Sequence, residues 1–289
     1  MGKALNISTR VDVETGDNVA IGGFIITGGT TNKTVVIRAL GPSLMNAVPP
    51  VTGTLTDPVL ELHMPDGSVV TNDNWKDNSE ADQGTIVGVG LNLFNGTVIS
   101  DDEAILVASL PPRSDTVGSG QYTAVVHGSL TTDTGVGLVE VYDLDDPSVE
   151  AELANISTRG VVGTGDNVLI GGVIVGPLGT SEIVNATVVV RAIGPSLADA
   201  VPPVPDALAD PFLELHNGDG DIIATNDNWM DGADEAEIQA LDLAPTNDME
   251  SALLATLVAG NYTAIVSGVD ATTGVGLVEV FHVPTPGAK

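Results

Sequence analysis

A chain of 289 residues is long enough to bury one large hydrophobic core or two of ordinary size. Its formal net charge of -30 comes from 39 acidic and 9 basic residues, which excludes electrostatic attraction to nucleic acid or to an anionic membrane and favours cations as partners. No apolar stretch is long enough for membrane insertion. The chain does not open with an apolar leader, so a signal peptide is either absent or already removed.

The sequence is a tandem duplication. Its opening block, Asn6-Ile7-Ser8-Thr9-Arg10, returns as Asn155-Ile156-Ser157-Thr158-Arg159. Further blocks return in the same order: 15–19 as 164–168, 36–44 as 189–197, 57–63 as 210–216, 71–75 as 225–229 and 134–141 as 273–280. Chance does not produce such a series, so the sequence predicts two domains, residues 1–145 and 146–289. The acidic segment around the boundary is too short to act as a long flexible tether.

Within each repeat, short apolar or alternating runs are separated by turn residues. Residues 122–127 and 138–142 are strand-like in length and pattern, and Gly and Pro are spread along the whole chain. Hydrophobic residues make up 43% of the chain and aromatic residues only 3%, so Val, Ile, Leu and Ala must form the cores. The sequence therefore predicts an all-β fold of two tandem antiparallel, jelly-roll-like β-sandwich domains. Segment 235–241 has a hint of a helical pattern, but its counterpart 82–89 contains Gly84, Gly88 and Val89 and reads poorly as a helix, so short turns are expected at both.

One repeated turn offers clustered oxygen ligands. Asn72-Asp73-Asn74 returns as Asn226-Asp227-Asn228, and a further aspartate follows each copy. Calcium takes about six to eight oxygen ligands, which flexible acidic loops supply. The sequence therefore predicts calcium sites, and the candidate ligands are Asp73, Asn74, Asp77, Asp227, Asn228 and Asp231. The alternative is that these residues form ordinary Asx-turns at strand ends.

Catalytic motifs are missing from the sequence. It contains no Gly-x-Ser-x-Gly elbow, no phosphate-binding loop and no cysteine nucleophile. Asp101, Asp102 and Glu103 could serve glycoside hydrolysis, but that chemistry needs a cleft with sugar-stacking aromatic rings, and aromatic residues are scarce. His63 and its counterpart His216 have no companion His or Cys close in sequence, so a zinc centre is not expected. The sequence predicts that the protein is not an enzyme.

Two pairs of rare residues recur at equivalent positions. Arg38 and Arg191 each follow an apolar strand run, and we expect each to form an internal ion pair with a carboxylate. Trp75 and Trp229 follow the Asn-Asp-Asn turns. Their rings could stack on a sugar, and packing over the acidic loop is at least as good an interpretation.

The back half of each repeat carries a series of motifs. In the first copy they are Leu60-Glu61-Leu62-His63, Asp66-Gly67, Asn72-Asp73-Asn74 and 120–126, and all recur in the second copy. This series resembles the bacterial pre-peptidase C-terminal domain. The resemblance implies a secreted, jelly-roll-like β-sandwich that often binds calcium and accompanies secreted hydrolases. The whole repeat also looks like a unit found in large secreted surface proteins of environmental bacteria.

These observations favour a non-catalytic structural or adhesive module located outside the cell or on its surface and stabilised by calcium. One alternative is a subunit of an extracellular filament, in which a terminal strand of one chain completes the sheet of the next. Another is a carbohydrate-binding accessory of a secreted hydrolase. The expected partners are a second copy of the chain or a surface or matrix polysaccharide.

Overall fold

The computed structural model describes residues 3–114, 119–146, 148–176 and 185–283. The chain forms two compact units. The first unit comprises residues 8–152, and the second comprises residues 153–289 together with those up to Ile7. The start of the first repeat therefore belongs to the second unit.

The strands before residue 150 are β1 (Lys3–Val13), β2 (Ala20–Thr27), β3 (Lys33–Leu40), β4 (Pro58–His63), β5 (Val69–Asn72), β6 (Leu93–Phe94), β7 (Thr97–Val98), β8 (Ala104–Leu110), β9 (Gln121–Gly128) and β10 (Gly135–Asp143). Those after it are β11 (Glu152–Val162), β12 (Leu169–Gly176), β13 (Asn185–Ile193), β14 (Pro211–His216), β15 (Ile222–Asn226), β16 (Ser251–Val258), β17 (Gly260–Gly268) and β18 (Gly274–Val283). The α-helices are α1 (Glu80–Gly88) and α2 (Glu235–Ala240). Short 3-10 turns occupy Gly16–Asn18, Pro42–Asn46, Trp75–Asp77, Pro195–Asp199, Trp229–Asp231 and Val269–Ala271.

The two units have the same two-layered topology. In the first, β3 lies between β8 and β10, while β9 lies between β2 and β4, with β5 beyond β4. In the second, β13 lies between β16 and β18, and β17 lies between β12 and β14, with β15 beyond β14. These ladders are all antiparallel, and the prediction of an all-β sandwich fold is confirmed.

Alternation of side chains along the strands builds the core between the layers. On β2, every second residue is buried, including Phe24 and Ile26. Phe24 stacks on Tyr122 of β9 with ring centroids 5.3 Å apart. Val173 and Tyr262 are buried at the equivalent positions of the second unit.

The central strand of the other layer is buried on both faces. On β3, six consecutive residues from Val35 to Leu40 are buried. A second hydrophobic cluster covers its outer face, where Val36 and Leu40 join Ile86 of α1 and Trp75. This cover positions the residues of the candidate site.

The short turns expected at residues 82–89 and 235–241 were a wrong prediction, because the structure has the helices α1 and α2 there. Ser79 caps α1 by accepting a hydrogen bond from the backbone N–H of Asp82 at 3.2 Å. Each helix buries one isoleucine against an outer strand: Ile86 packs on β8 and Ile238 on β16. Tertiary packing thus overrides the low helix propensity of the glycines in α1. Among the described residues, no helix is long and apolar enough to cross a membrane.

Candidate functional site

Arg38 forms the internal ion pair that the sequence predicts. It lies directly opposite Glu140 in the β3–β10 ladder, and its Nε donates to Glu140 Oε2. Its Nη1 donates to the carbonyl oxygens of Leu91 and Leu93 at 2.8 and 3.0 Å. The Tyr142 hydroxyl donates to Glu140 Oε1 at 2.8 Å and lies 3.3 Å from Arg38 Nη2. The side chains of Arg38 and Glu140 are only 5% and 8% exposed.

Arg191 repeats this arrangement in the second unit. It lies opposite Glu279 in the β13–β18 ladder, and both Nε and Nη2 donate to Glu279 Oε2. Its Nη1 donates to the Leu243 carbonyl at 2.9 Å, and its guanidinium lies 4.8 Å from the ring centroid of Phe281. Burial raises the pKa of the Glu279 carboxyl, while Arg191 acts in the opposite direction. Both expected ion pairs are confirmed.

Glu103 is fully buried and holds a backbone turn. Its carboxylate accepts hydrogen bonds from the N–H groups of Gly41 and Ser43 at 2.7 and 2.6 Å. Burial raises the pKa of Glu103, although these hydrogen bonds favour the charged form. A Cβ on Gly41 would lie 2.2 Å from the Leu55 carbonyl oxygen, so only glycine fits there. Because the carboxylate is enclosed and satisfied by amides, it does not face a substrate cleft.

Glu250 has the same role in the second unit. It is fully buried and accepts hydrogen bonds from the N–H groups of Gly194 and Ser196 at 3.1 and 2.9 Å. It also accepts from the Ser196 hydroxyl at 2.7 Å. The two repeated Gly-Pro-Ser turns are therefore fixed by buried glutamates located about fifty or sixty residues later in the chain.

The side-chain amide of the first asparagine in each Asn-Asp-Asn turn makes hydrogen bonds to the backbone as a peptide group would. Asn72 Oδ1 accepts from the N–H of Ile105 at 2.8 Å, and its Nδ2 donates to the Asn74 carbonyl at 3.0 Å. Asn226 Oδ1 accepts from the N–H of Ala252 at 2.9 Å, and its Nδ2 donates to the Asn228 carbonyl at 3.0 Å. Each asparagine thereby satisfies the backbone at the start of an outer strand, β8 or β16.

The tryptophans pack inside the protein. Trp75 is 5% exposed and Trp229 is 6% exposed. The backbone N–H of Trp75 donates to the Glu103 carbonyl at 2.7 Å, and its ring Nε1 donates to the Ser100 carbonyl at 3.1 Å. Trp229 makes the matching bonds to Glu250 and Asn247 at 2.8 and 3.2 Å. The packing interpretation is confirmed, and neither ring presents a face on which a sugar could stack.

The candidate calcium ligands lie at the surface of these turns. Asp73, Asp77, Asp227 and Asp231 are exposed, and Asn74 and Asn228 are half-buried. The carbonyl oxygens of Asn74 and Asn228 accept hydrogen bonds from the backbone N–H groups of Asp77 and Asp231 at 2.9 and 3.0 Å. In the part of the chain that the structure describes, no group of three or more His, Asp or Glu side chains is arranged to hold a metal ion. The six ligands therefore stay a prediction.

Carboxylates do crowd one another beside each turn. Although Asp73 is exposed, desolvation of its carboxyl raises its pKa, and the nearby charges of Asp57 and Asp77 raise it further. In the second unit, burial and the charges of Asp227 and Asp270 raise the pKa of Asp210. Asp210 Oδ1 is buried and has no hydrogen-bond partner among the described residues. A cation at either position would relieve this repulsion, although waters would have to supply several of its ligands.

One side-chain contact could not be predicted from the sequence, because it depends on which strands pair. His63 Nε2 lies 3.0 Å from Glu61 Oε2, and His127 Nε2 on the neighbouring strand β9 lies 3.7 Å from Glu61 Oε1. His127 and His63 are 64 positions apart in sequence, so only the β4–β9 ladder brings them to the same carboxylate. Ser267 occupies the position of His127 in the second unit, and the cluster is not repeated.

A surface groove of about 600 Å³ in the first unit is lined by Met64, Asp66, Arg113 and Tyr122 among others. The Asp66 carboxylate accepts hydrogen bonds from the N–H and hydroxyl of Ser68 at 2.9 and 2.6 Å. These bonds lower the pKa of Asp66, which makes it a poor general base.

Comparisons with known proteins give no relative. No family model and no curated protein matches the chain. Among solved structures, it is similar to a DUF4785 family protein from Legionella pneumophila, with a TM-score of 0.26 and 11% identity over 96% of this chain and 65% of that chain. A structure of infectious bursal disease virus Gt strain gives a TM-score of 0.15 and 9% identity over 97% of this chain and 72% of that chain. The chain thus spans less than two thirds of the Legionella protein, and scores this low carry no argument.

Proposed function

We propose that this chain is a non-catalytic structural module located outside the cell or on its surface. The supporting observation is the use of the polar residues that both repeats share. Arg38, Asn72 and Glu103, with their counterparts Arg191, Asn226 and Glu250, all direct their hydrogen bonds into the fold. The polar residues that the two copies share thus form buried hydrogen bonds and ion pairs between strands and turns.

Calcium is part of the proposal. The chain carries a net charge of -30. Desolvation raises the pKa values of Asp73 and Asp210, and neighbouring carboxylates add a smaller contribution in the same direction. Extracellular calcium modules bind with dissociation constants of roughly 10⁻⁴ to 10⁻³ M, so an incomplete, partly hydrated ligand set is sufficient there. The resemblance to the pre-peptidase C-terminal domain also favours an extracellular calcium-binding role. The carbohydrate-binding alternative has less support because both tryptophans are buried.

A calcium titration tests the proposal. Chelator-stripped protein is titrated by calorimetry, and thermal melts of the same samples are recorded with calcium, with magnesium and with chelator. We expect saturable calcium binding and a stabilisation of about 2.7 kcal/mol when the free ion exceeds the dissociation constant by about 100-fold. The variants Asp73→Asn and Asp227→Asn should weaken binding, and Asp166→Asn, in the repeated Gly-Asp-Asn turn, is the matched surface control. Absence of both heat and a thermal shift would refute the calcium claim.

A further inference from the structure

The opening strand of the chain is divided between the two units. β1 runs without interruption from Lys3 to Val13, yet the residues up to Ile7 belong to the second unit and Ser8 begins the first. In the sheet order β1 follows β12. The second unit is therefore completed by a strand that the beginning of the first repeat supplies.

The edge of β12 that β1 pairs with would be an unprotected sheet edge if β1 were absent. β12 pairs with β17 on one side and β1 on the other. Its sequence, Leu-Ile-Gly-Gly-Val-Ile-Val-Gly, contains neither a charged residue nor proline. Without β1, β12 would expose unpaired N–H and C=O groups along an apolar edge, which is a template for another strand.

The strand that fills this position has a counterpart in the second repeat. Its sequence from Asn6 to Arg10 is the same as that from Asn155 to Arg159, and Asn6 and Asn155 are equally buried, at 4% and 6% exposure. Exchange of an identical element between chains preserves all native contacts, so it is a low-cost route to assembly. Protein concentration then determines whether a strand completes its own chain or a neighbouring one.

We propose that copies of this chain associate by strand exchange, with residues 3–7 of one copy pairing with β12 of another. This inference rests on the proposed structural function and names its partner as a second copy of the chain. Donor and acceptor are different surfaces of the molecule, so successive exchanges are head-to-tail and can continue into a filament. Because each copy carries a net charge of -30, assembly should increase with ionic strength.

A shortened chain, residues 8–289, lacks the donor segment and leaves the acceptor strand β12 without its partner. Hydrogen exchange should show loss of protection in β12, and a synthetic peptide of residues 1–13 should restore it with saturable one-to-one binding by calorimetry. Full-length protein should bind the peptide at least about tenfold more weakly, because its own strand competes intramolecularly. The matched control is the same peptide with Asn6→Pro, since proline removes a ladder N–H and is poorly tolerated inside a sheet. All samples contain chelator, so a failure of the calcium proposal would not change this result.

Assembly is measured on the full chain by light scattering over increasing concentration and salt. Wild-type protein should form oligomers, and adding full-length Asn6→Pro protein, which accepts a strand but cannot donate one, should shorten them. If the shortened chain does not fold, loss of β12 protection in full-length Asn6→Pro protein provides the same evidence. Unchanged β12 protection in both variants would overturn the strand assignment. A full chain that is monomeric at every concentration and salt would overturn the exchange between copies.

Discussion

The two units bury the same ion pair under different covers. In the first, the segment between α1 and β8 contains the β6–β7 hairpin, and two of its carbonyl groups bind Arg38. In the second, the segment between α2 and β16 is shorter and supplies one carbonyl to Arg191. The arginine is accordingly 5% exposed in the first unit and 18% exposed in the second. The strands thus fix the pair, while the loop over it sets its depth.

This difference suggests which contacts are structural requirements and which are adjustable. The pairing across the central ladder, the glutamate under the Gly-Pro-Ser turn and the asparagine at the outer strand are the same in both units. The residue beside the arginine is not, because Phe281 replaces Tyr142. Matched substitutions in the two units can therefore separate the effect of burial from that of chemistry.

The largest effect is expected from breaking the deeper ion pair. Glu140→Gln should cost about 3–5 kcal/mol of unfolding free energy, because it leaves the buried Arg38 without a counter-charge. Glu279→Gln should cost about 2 kcal/mol, because Arg191 retains contact with water. The chain has two tryptophans, one in each unit, so Trp75→Phe and Trp229→Phe backgrounds give each unit its own fluorescence signal in urea unfolding. Equal losses of unfolding free energy in the two units would contradict the conclusion that the loop over the ion pair sets its burial and its contribution to stability.

The asparagines should give equal effects, because their geometry is equal. Asn72→Ala and Asn226→Ala should each cost about 1–3 kcal/mol, since each leaves a buried N–H of the outer strand unsatisfied. In chelator-treated protein, Asn74→Ala is the control, because the hydrogen bonds at Asn74 use its backbone carbonyl; it should change stability by less than about 0.5 kcal/mol. The same urea experiment measures all three. A neutral or stabilising effect of Asn72→Ala would favour a functional role and weaken the structural proposal.

Tyr142→Phe makes the first unit resemble the second. It removes the hydroxyl that donates to Glu140 at 2.8 Å, and it should cost about 0.5–1.5 kcal/mol. The loss should be seen only with the Trp75 signal. In the Glu140→Gln background the effect should become smaller, and a double-mutant cycle measures this coupling. Full additivity would show that the hydroxyl does not stabilise the ion pair.

The smallest expected effect is a rise in stability on mild acidification. Burial raises the pKa of Glu103 above its unfolded value of 4.5, and burial with neighbouring charges raises those of Asp73 and Asp210 above 3.8. The folded state therefore binds protons more tightly than the unfolded state. The resulting stabilisation of the folded state is complete below the unfolded pKa and is lost as the pH rises through the folded pKa. Repulsion within a chain of charge -30 acts in the same direction.

Melting temperatures recorded from pH 7 down to about pH 5 should thus increase by roughly 2–4 °C. Glu103→Gln should flatten the pH dependence of the first unit and leave that of the second unchanged. A melting temperature that falls steadily over this range would contradict the prediction.

Much of the fold and part of the site could be predicted from the sequence. Two-residue alternation and the scarcity of helical periods indicated the β-sandwich, because strand burial is a local property of the pattern. The rarity of basic residues made Arg38 and Arg191 stand out, and an arginine after an apolar run needs a buried carboxylate. The identity of that carboxylate was not predictable, since Glu140 is 102 positions from Arg38.

By itself, the sequence determined the duplication, the all-β class and the positions of the polar residues that both copies share. Only the tertiary structure decided that Ile86 and Ile238 stabilise helices, that Asn72 satisfies an outer strand, and that His127 reaches Glu61. It also decided that the residues up to Ile7 complete the second unit. The physical reason is the same in each case: local propensity selects a strand or a turn, whereas the choice of partner depends on residues far away in the chain.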